Sequence, residues 1–295
     1  MSNYKIALVQ LNLDGDRKTN TAKCVEYITE AARKGANVIC LPELYSSFYF
    51  CQSENIDYFD FAEDAENGPS YQTFSKLSAD LGCSLVIPFF EKRSTSIYHN
   101  SVMVFDADGS LAGLYRKMHI PDDPCFYEKF YFTPGDRGYM AHNTRFGRIG
   151  VLICWDQWFP EAARLTAMQG PEVLFYPTAV GWLPSEEGED GNRQRESWIA
   201  VQRGHAVANG IFVAAVNRVG FEKHEEHSEG ICFWGSSFVA GPQGEIIAQA
   251  SLDKEEIVYA DIDLKQMETV RRIWPYFRDR RTDSYGGITQ IWGQK

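Results

Sequence analysis

The sequence predicts an α/β fold in which mixed β-sheets are covered by helices. Short apolar runs rich in β-branched residues alternate with helix-length amphipathic segments along most of the 295 residues, and this alternation is typical of sheets packed against helices. Other strand-like runs follow each other through a short turn. The clearest such turn is Asp108-Gly109 in "HNSVMVFDADGSLAGLYRK", because Asp-Gly is a strong hairpin signal. Parallel and antiparallel pairing are therefore both expected, while the number of sheets and their stacking stay open.

The amino-terminal half predicts a βαβ unit followed by a strand pair. Its elements are a strand at 5–12, a helix at 19–34 that stops at Gly35, the strand "ANVICLPE", a helix at 70–81, the strand "CSLVIPFFE" and the Asp108-Gly109 hairpin. The carboxyl-terminal half repeats the alternation and ends in strands. Its elements are an apolar strand at 149–154, a helix at 159–165, the strand "EVLFYPTA", a polar loop at 181–192, a helix at 193–209, the strand "IFVAAVN", the charged loop "GFEKHEEHSEG", the hairpin-like "SSFVAGPQGEIIAQAS" with "EEIVYADID", and a short helix at 264–272.

Composition restricts both the organisation of the chain and its partners. No linker or low-complexity stretch divides the sequence, and 44% of the residues are hydrophobic, so we expect one domain over 1–295 with a large core. The net charge of −11 argues against nucleic acid or an anionic membrane as the partner. It agrees with a small cationic substrate.

The cysteines and the amino terminus predict a cytoplasmic protein. Seven cysteines, an odd number, are scattered without a CxxC pair, which indicates free thiols in a reducing compartment. The first residues, "MSNYKIALVQLNL", lack a basic segment followed by a long apolar run, and nowhere do about 18 uncharged apolar residues run together. We therefore expect neither secretion nor a membrane span.

Three ionisable residues lie at the ends of predicted strands: Glu43 after "NVICLP", Lys117 after "LAGLYR", and Cys154 at the end of the run 149–154. Such ends are where α/β proteins build their sites. A thiol needs a neighbouring base or cation to act as a nucleophile at neutral pH. Glu43 is the candidate proton shuttle, and Lys117 with the backbone N–H of Trp155 would stabilise an oxyanion. The set predicts hydrolysis through a covalent thioester on Cys154, although each residue taken alone is more often a packing or surface residue.

Four segments, "LPELYSSFY", "YRKMHIPDDPCFYEKFYFTPGD", "GVLICWDQWFPEAARL" and "FWGSSFVAGPQGE", resemble the nitrilase or carbon–nitrogen hydrolase superfamily. The resemblance covers nearly the whole chain and implies that Glu43, Lys117 and Cys154 are the family's catalytic triad, with Glu128 as a supporting carboxylate. It also implies a four-layer αββα sandwich whose subunits pair across helices. We expect a homo-oligomer built from dimers, with residues 265–295 as an arm on a neighbouring subunit.

The run "CWDQWFPEAAR" indicates a cationic substrate within that family. Carbamoylases that act on N-carbamoyl-D-amino acids carry an arginine pair after the cysteine, which can clamp the substrate carboxylate, whereas these positions here hold Gln157 and Trp158. With "DDPCFYEKFYFTPGD" and "WPYFRDRRTDSYG", the run resembles the members that hydrolyse N-carbamoylputrescine, a linear carbamoyl amide with a distal ammonium. An aromatic channel ending in a carboxylate is expected. The candidate substrate-binding residues are Tyr49, Trp158 and Trp182 as channel walls and Glu187 as the ammonium partner, with Asp122 and Asp123 as rivals.

Two alternatives stay open. One is another carbon–nitrogen hydrolase, such as a β-ureidopropionase-like carbamoylase, a nitrilase or an ω-amidase, and the other is a non-catalytic oligomeric scaffold, which the intact triad disfavours.

Two further motifs resemble a metal site and a nucleic-acid site, and neither is interpreted as one. "HEEH" at 224–227 lacks the spacing and third ligand of a zinc site, so neither a metal nor a cofactor is expected. "RRIWPYFRDRR" is interpreted as a subunit contact rather than a nucleic-acid patch.

Overall fold

The computed structural model describes residues 3–224 and 228–293. Two large sheets and one small sheet organise this part of the chain. The strands are β1 (Tyr4–Gln10), β2 (Val38–Cys40), β3 (Ser84–Ser94), β4 (Ile97–Phe105), β5 (Leu111–Arg116), β6 (Ala141–Asn143), β7 (Arg148–Val151), β8 (Val173–Pro177), β9 (Gly181–Trp182), β10 (Phe212–Val216), β11 (Val219–Glu222), β12 (Ile231–Trp234), β13 (Phe238–Ala240), β14 (Ile246–Gln249) and β15 (Glu256–Ile262).

Helices precede or follow most of these strands. They are α1 (Arg17–Arg33), α2 (Pro69–Leu81), α3 (Glu128–Tyr131), α4 (Pro160–Ala167), α5 (Glu189–Asn209) and α6 (Leu264–Ile273). Local chemistry sets their ends: the Asp16 carboxylate accepts a 2.8 Å hydrogen bond from the Thr19 N–H before α1, which is a standard N-cap. Gly82, with φ +64°, ends α2. None of the described helices combines the length and apolar character needed to cross a bilayer.

The two large sheets share one pattern of parallel and antiparallel strand pairing. The first has the order β15-β1-β2-β3-β4-β5 and the second β14-β13-β10-β8-β7-β6. In each sheet, three adjacent inner strands are parallel: β1, β2 and β3 in the first, and β10, β8 and β7 in the second. The outer pairs are antiparallel. The small antiparallel sheet has the order β11-β12-β9.

Alternation along β1 shows how the layers stack. Ile6 and Leu8 belong to the core shared with the second sheet and with α4 and α5, whereas Ala7 and Val9 belong to the core shared with α1 and α2. Successive strand residues face opposite sides of a sheet, so the first sheet lies between a helical layer and the second sheet. The four-layer αββα sandwich expected from the resemblance is thus confirmed.

Three sequence-predicted elements differ from the structure. The strand expected at 149–154 ends at Val151, and Cys154 instead begins a 3-10 helix, Cys154–Trp158. The polar loop expected at 181–192 contains β9, a 3-10 turn and the first residues of α5. The start of the charged loop "GFEKHEEHSEG" is part of β11, which pairs with β12. In the second and third cases tertiary pairing and packing override a polar local sequence.

Candidate active site

A strained turn presents Cys154. The residue has φ +42°, which is unfavourable for a side chain with a Cβ and is characteristic of functional sites. The Asp156 carboxylate accepts a 3.0 Å hydrogen bond from the Ile153 N–H and so fixes the turn. Pro160, the first residue of α4, fits there because this position needs no N–H donor. The Cys154 thiol lies 3.9 Å from the Ala179 carbonyl oxygen.

Glu43 and Lys117 meet just beyond the carboxyl ends of β2 and β5. Both side chains are fully buried, and the Lys117 Nζ donates to Glu43 Oε1 at 2.8 Å. Asn100 on β4 fixes both residues, since its side-chain amide donates to Glu43 Oε1 at 2.7 Å and its carbonyl accepts from the Lys117 N–H at 2.8 Å. Glu43 Oε2 has no hydrogen-bond partner among the described residues.

Glu128, the first residue of α3, completes the charged cluster. Its Oε2 accepts from Lys117 Nζ at 2.6 Å and its Oε1 accepts from the Tyr49 hydroxyl at 2.8 Å. Lys117 therefore lies between two buried carboxylates. Burial raises the pKa of Glu128 from 4.5 to about 7, against the lowering effect of the Lys117 charge.

The same electrostatics act on the lysine and the thiol. Burial favours the neutral amine of Lys117, but the negative charges of Glu128 and Glu43 outweigh it and hold the lysine pKa well above its usual value. Burial and then the Glu43 charge raise the pKa of Cys154, while the positive charge of Lys117 lowers it by a smaller amount. The resting thiol is therefore protonated at neutral pH, and its activation requires transfer of the proton to a base.

A cavity of about 730 Å³ opens onto Cys154. Its lining includes Glu128, Trp155, Gln157 and Trp158 together with the cysteine, and four further charged residues. These charged residues are Asp123, Glu186, Asp190 and Arg193. This lining, largely apolar and aromatic with mainly acidic charged residues, suits a ligand with an apolar part and a cationic end.

The charged residues of the wall differ in how far they are already neutralised. Asp190 forms an ion pair with Arg193. Glu186 accepts hydrogen bonds from the Leu183 N–H at 2.9 Å and from the Gln194 amide at 2.8 Å. No ion pair or hydrogen bond involves the Asp123 carboxylate within residues 3–224 and 228–293. Asp123 is therefore the carboxylate with the most capacity to bind a ligand cation.

The sequence-predicted site residues separate into two groups. The structure brings Glu43, Lys117, Glu128 and Cys154 into one electrostatic cluster, and Trp155, Trp158 and Asp123 line the cavity. Three expected substrate contacts are not cavity-lining residues: Tyr49 is buried against Glu128, Trp182 packs against Trp234 with ring centroids 5.6 Å apart, and Glu187 is exposed. Asp122 is also exposed and absent from the lining.

Sequence reasoning missed the role of Asp156 in joining two parts of the site. Besides the Ile153 N–H, its carboxylate accepts the Tyr115 hydroxyl at 2.7 Å and the His119 N–H and Nδ1 at 3.0 and 2.7 Å. It therefore links the cysteine turn to the segment that follows Lys117. An acidic residue in the first turn of a helix was the available signal.

The sequence shows Gln157 only as a residue that stands where related carbamoylases carry an arginine. It is fully buried, and its Oε1 accepts a 2.8 Å hydrogen bond from the indole N–H of Trp198 while its carbonyl oxygen contacts His205 Nε2 at 2.8 Å. These contacts tie the cysteine turn to α5. No local pattern in the sequence indicates a partner 41 residues away.

Within the described ranges, His, Cys, Asp and Glu form no group that could hold a metal ion. Residues 225–227 of the "HEEH" motif lie outside these ranges. His224 is described and stacks on Phe48 with ring centroids 3.9 Å apart.

Comparisons with known proteins agree on one family. The carbon–nitrogen hydrolase family model matches residues 5–272. The chain is 45% identical to an N-carbamoylputrescine amidase from Arabidopsis thaliana, covering 95% of this chain and 93% of the relative, and 40% identical to a citrullinase from Francisella tularensis, covering 98% and 99%. A crystal structure of a carbon–nitrogen hydrolase from Helicobacter pylori superposes with a TM-score of 0.95 at 46% identity, covering 99% of this chain and all of that chain.

Proposed function

The chain belongs to the carbon–nitrogen hydrolase family and is an amidohydrolase, and we propose that it hydrolyses N-carbamoylputrescine to putrescine, carbon dioxide and ammonia. One observation carries this proposal: a buried thiol beside a Glu43–Lys117–Glu128 cluster opens onto a cavity whose charged lining residues are mainly acidic. The relatives named N-carbamoylputrescine amidase support the choice of substrate.

The first step activates the thiol. Glu43 is the proposed base, because its Oε2 has no hydrogen-bond partner among the described residues and is therefore free to accept a proton from the thiol. The Cys154 proton passes to Glu43 as the sulfur attacks the carbonyl carbon of the ureido group. The C=O pair of electrons moves to oxygen and forms a tetrahedral oxyanion.

Stabilisation of this oxyanion is the proposed task of Lys117. Its charge is held in place by two carboxylates, so no reorganisation is needed when negative charge develops. The backbone N–H of Trp155, in the first turn of the Cys154–Trp158 helix, is the proposed second donor. The C–N bond to the terminal nitrogen then breaks, and Glu43 returns the proton to the departing ammonia.

In the second half of the reaction, water hydrolyses the thioester. A water molecule gives a proton to Glu43 and attacks the thioester carbon, and the C–S bond breaks as the thiolate takes the proton back. The product is the carbamic acid of putrescine, which loses carbon dioxide to give the free diamine. One carboxylate thus serves as base and acid in turn.

Asp123 is the proposed partner of the distal ammonium, in place of Glu187, because both carboxylates are exposed but only Asp123 lines the cavity. Its carboxylate lines the same cavity as Cys154 and has no internal cation to neutralise it among the described residues. Trp158 lines the cavity beside the cysteine and is the proposed apolar wall for the methylene chain. Asp190 is less suited because Arg193 already pairs with it.

A second candidate substrate is a ureido amino acid with a zwitterionic end. Arg193 in the cavity wall favours it, since a guanidinium binds a carboxylate well, and a citrullinase is among the relatives. The opposing observation is that Arg193 is already shared between Glu189 and Asp190. Citrulline is therefore the informative competitor.

Ammonia release from the purified protein tests the proposal. N-carbamoylputrescine, citrulline and N-carbamoyl-β-alanine are supplied at equal concentration, with Cys154→Ala as the blank. We expect the putrescine derivative to have the highest kcat/KM and the blank to be inactive. Preference for citrulline would shift the proposed substrate to the zwitterion. Preference for N-carbamoyl-β-alanine would contradict the argument that the acidic residues of the cavity favour a cationic substrate end.

The neighbouring aspartates supply a matched pair for the substrate contact. Asp123→Asn is expected to raise KM for N-carbamoylputrescine about tenfold, equivalent to ~1.4 kcal/mol, with little change in kcat. Asp122→Asn removes the same charge one residue away, at an exposed position outside the cavity. Equal effects of the two substitutions would show that only the general negative field matters.

A further inference from the structure

Arg218 is a fully buried cation between β10 and β11, and it binds the segment that carries Glu43. Its Nε donates to the Glu43 carbonyl oxygen at 3.1 Å, and its Nη2 donates to the carbonyl oxygens of Leu44 at 2.6 Å and Ser47 at 3.0 Å. Three main-chain oxygens within five residues are thus held by one guanidinium.

The segment needs such support because its backbone is strained. Leu44, directly after Glu43, has φ +50°, a left-handed conformation that side chains with a Cβ avoid. The segment lies outside the strands and helices, so its carbonyl groups must find partners elsewhere when they are buried. Arg218 provides those partners and thereby fixes the backbone position of Glu43, from which its side chain extends.

A second set of contacts leads from the same arginine to Glu128. Arg218 Nη1 donates to Glu222 Oε1 at 2.9 Å, and Glu222 Oε2 accepts from the Tyr49 N–H at 2.7 Å. The Tyr49 hydroxyl in turn donates to Glu128 Oε1 at 2.8 Å. The guanidinium also lies 5.9 Å from the centre of the Tyr49 ring, within the range of a cation–π contact.

We propose that Arg218 is a positioning residue that sets both carboxylates flanking Lys117, Glu43 through its main chain and Glu128 through Glu222 and Tyr49. Its charge is balanced by Glu222, which is equally buried, so the contribution to the site is geometric. Lysine keeps the charge but lacks the planar fork that reaches three carbonyl oxygens and a carboxylate together. The inference uses the proposed role of Glu43 as the base for Cys154.

Alkylation of Cys154 by iodoacetamide tests the inference without any substrate, so that an error in the proposed substrate does not affect it. The rate constant is measured against pH, at a temperature well below the unfolding midpoint of each variant, and kcat and KM are measured on the best substrate. For Arg218→Lys we expect at least a tenfold lower alkylation rate near neutral pH and a lower kcat, with KM within about twofold of the unmodified protein.

Arg271→Lys is the control. Arg271 also donates to a main-chain oxygen, that of Gly210 at 2.9 Å, but it lies outside the cluster and the cavity lining. Its alkylation rate and kcat should not change. A purely structural role for Arg218 would lower the unfolding midpoint and leave the alkylation rate and its pH profile unchanged, which would overturn the inference.

Tyr49→Phe and Glu222→Gln keep the inference testable if Arg218→Lys does not fold. Tyr49→Phe removes only the hydroxyl bond to Glu128, and Glu222→Gln weakens the bond to the Tyr49 N–H while keeping the side-chain size. Both should lower kcat by a similar factor and shift the pH profile of alkylation in the same direction. Unchanged pH profiles of alkylation in both variants would refute the proposed connection from Arg218 through Glu222 and Tyr49 to Glu128, and with it the inference.

Discussion

Glu128→Gln is expected to remove a specific pH dependence from the stability of the protein. Burial raises the Glu128 pKa from 4.5 to about 7, so between these values the folded state holds a proton that the unfolded chain has released. The free energy of unfolding must then fall as pH rises through this window. At 1.36 kcal/mol per pH unit, the loss approaches ~3 kcal/mol by pH 8. Glutamine resembles the protonated acid but does not titrate, so the free energy of unfolding of the variant does not fall for this reason as pH rises.

Urea unfolding at half-unit steps from pH 5 to 8 measures this effect. The free energy of unfolding of Glu128→Gln minus that of the unmodified protein should grow with pH toward ~3 kcal/mol. Glu187→Gln, a matched change at an exposed carboxylate, should track the unmodified protein throughout. A difference that stays constant within about 1 kcal/mol over the whole range would show that Glu128 titrates as an ordinary carboxylate, and the electrostatic account of the cluster would be wrong.

Three further changes test other parts of the protein. Lys117→Met should lower kcat/KM at least ~100-fold and destabilise the fold by ~3–5 kcal/mol, because two buried carboxylates lose their cation; a near-normal rate would refute the oxyanion role. Glu43→Gln keeps the shape but cannot shuttle a proton, so kcat should fall ~100-fold or more, and full activity would place the base elsewhere. Deletion of 274–295, where Trp292 is 84% exposed, should produce a smaller species in sedimentation velocity, and an unchanged species would contradict the predicted subunit arm.

The positions of the charged residues were predictable because they depend on strand ends. Glu43 and Lys117 follow β2 and β5 closely, and apolar runs locate those strands in the sequence. Their meeting in space requires that β2 and β5 end at the same edge of one sheet, which they do, and that the segment after β2 carries Glu43 across the ends of β3 and β4, which no local pattern predicts. The prediction for Cys154 identified the right region but the wrong local structure, because periodicity does not reveal a 3-10 turn with positive φ.

The residues that line the cavity were harder to predict, because two neighbouring residues of one turn can point to opposite sides. Glu186 and Glu187 are neighbours in an acidic run, yet Glu186 lines the cavity and accepts the Leu183 N–H, while Glu187 is exposed. That difference arises from a 3-10 turn at Pro184–Glu186 and from the early start of α5. Likewise, Tyr49 is aromatic but its ring is held inside by Glu128 and Phe233. Neither outcome has a local signal.

The charge balance of the cluster explains why one lysine is placed between two carboxylates. With Glu43 and Glu128 both ionised, the buried set carries one net negative charge, which opposes both thiolate formation and an oxyanion. Because the Glu128 pKa lies at about 7, this group takes up a proton near neutrality and reduces that opposition. Lys117 stays protonated in either state, since its pKa is held well above the usual value. In the proposed mechanism, Glu128 therefore adjusts how much of the lysine's positive field reaches the reacting carbonyl, while Glu43 alone moves the proton.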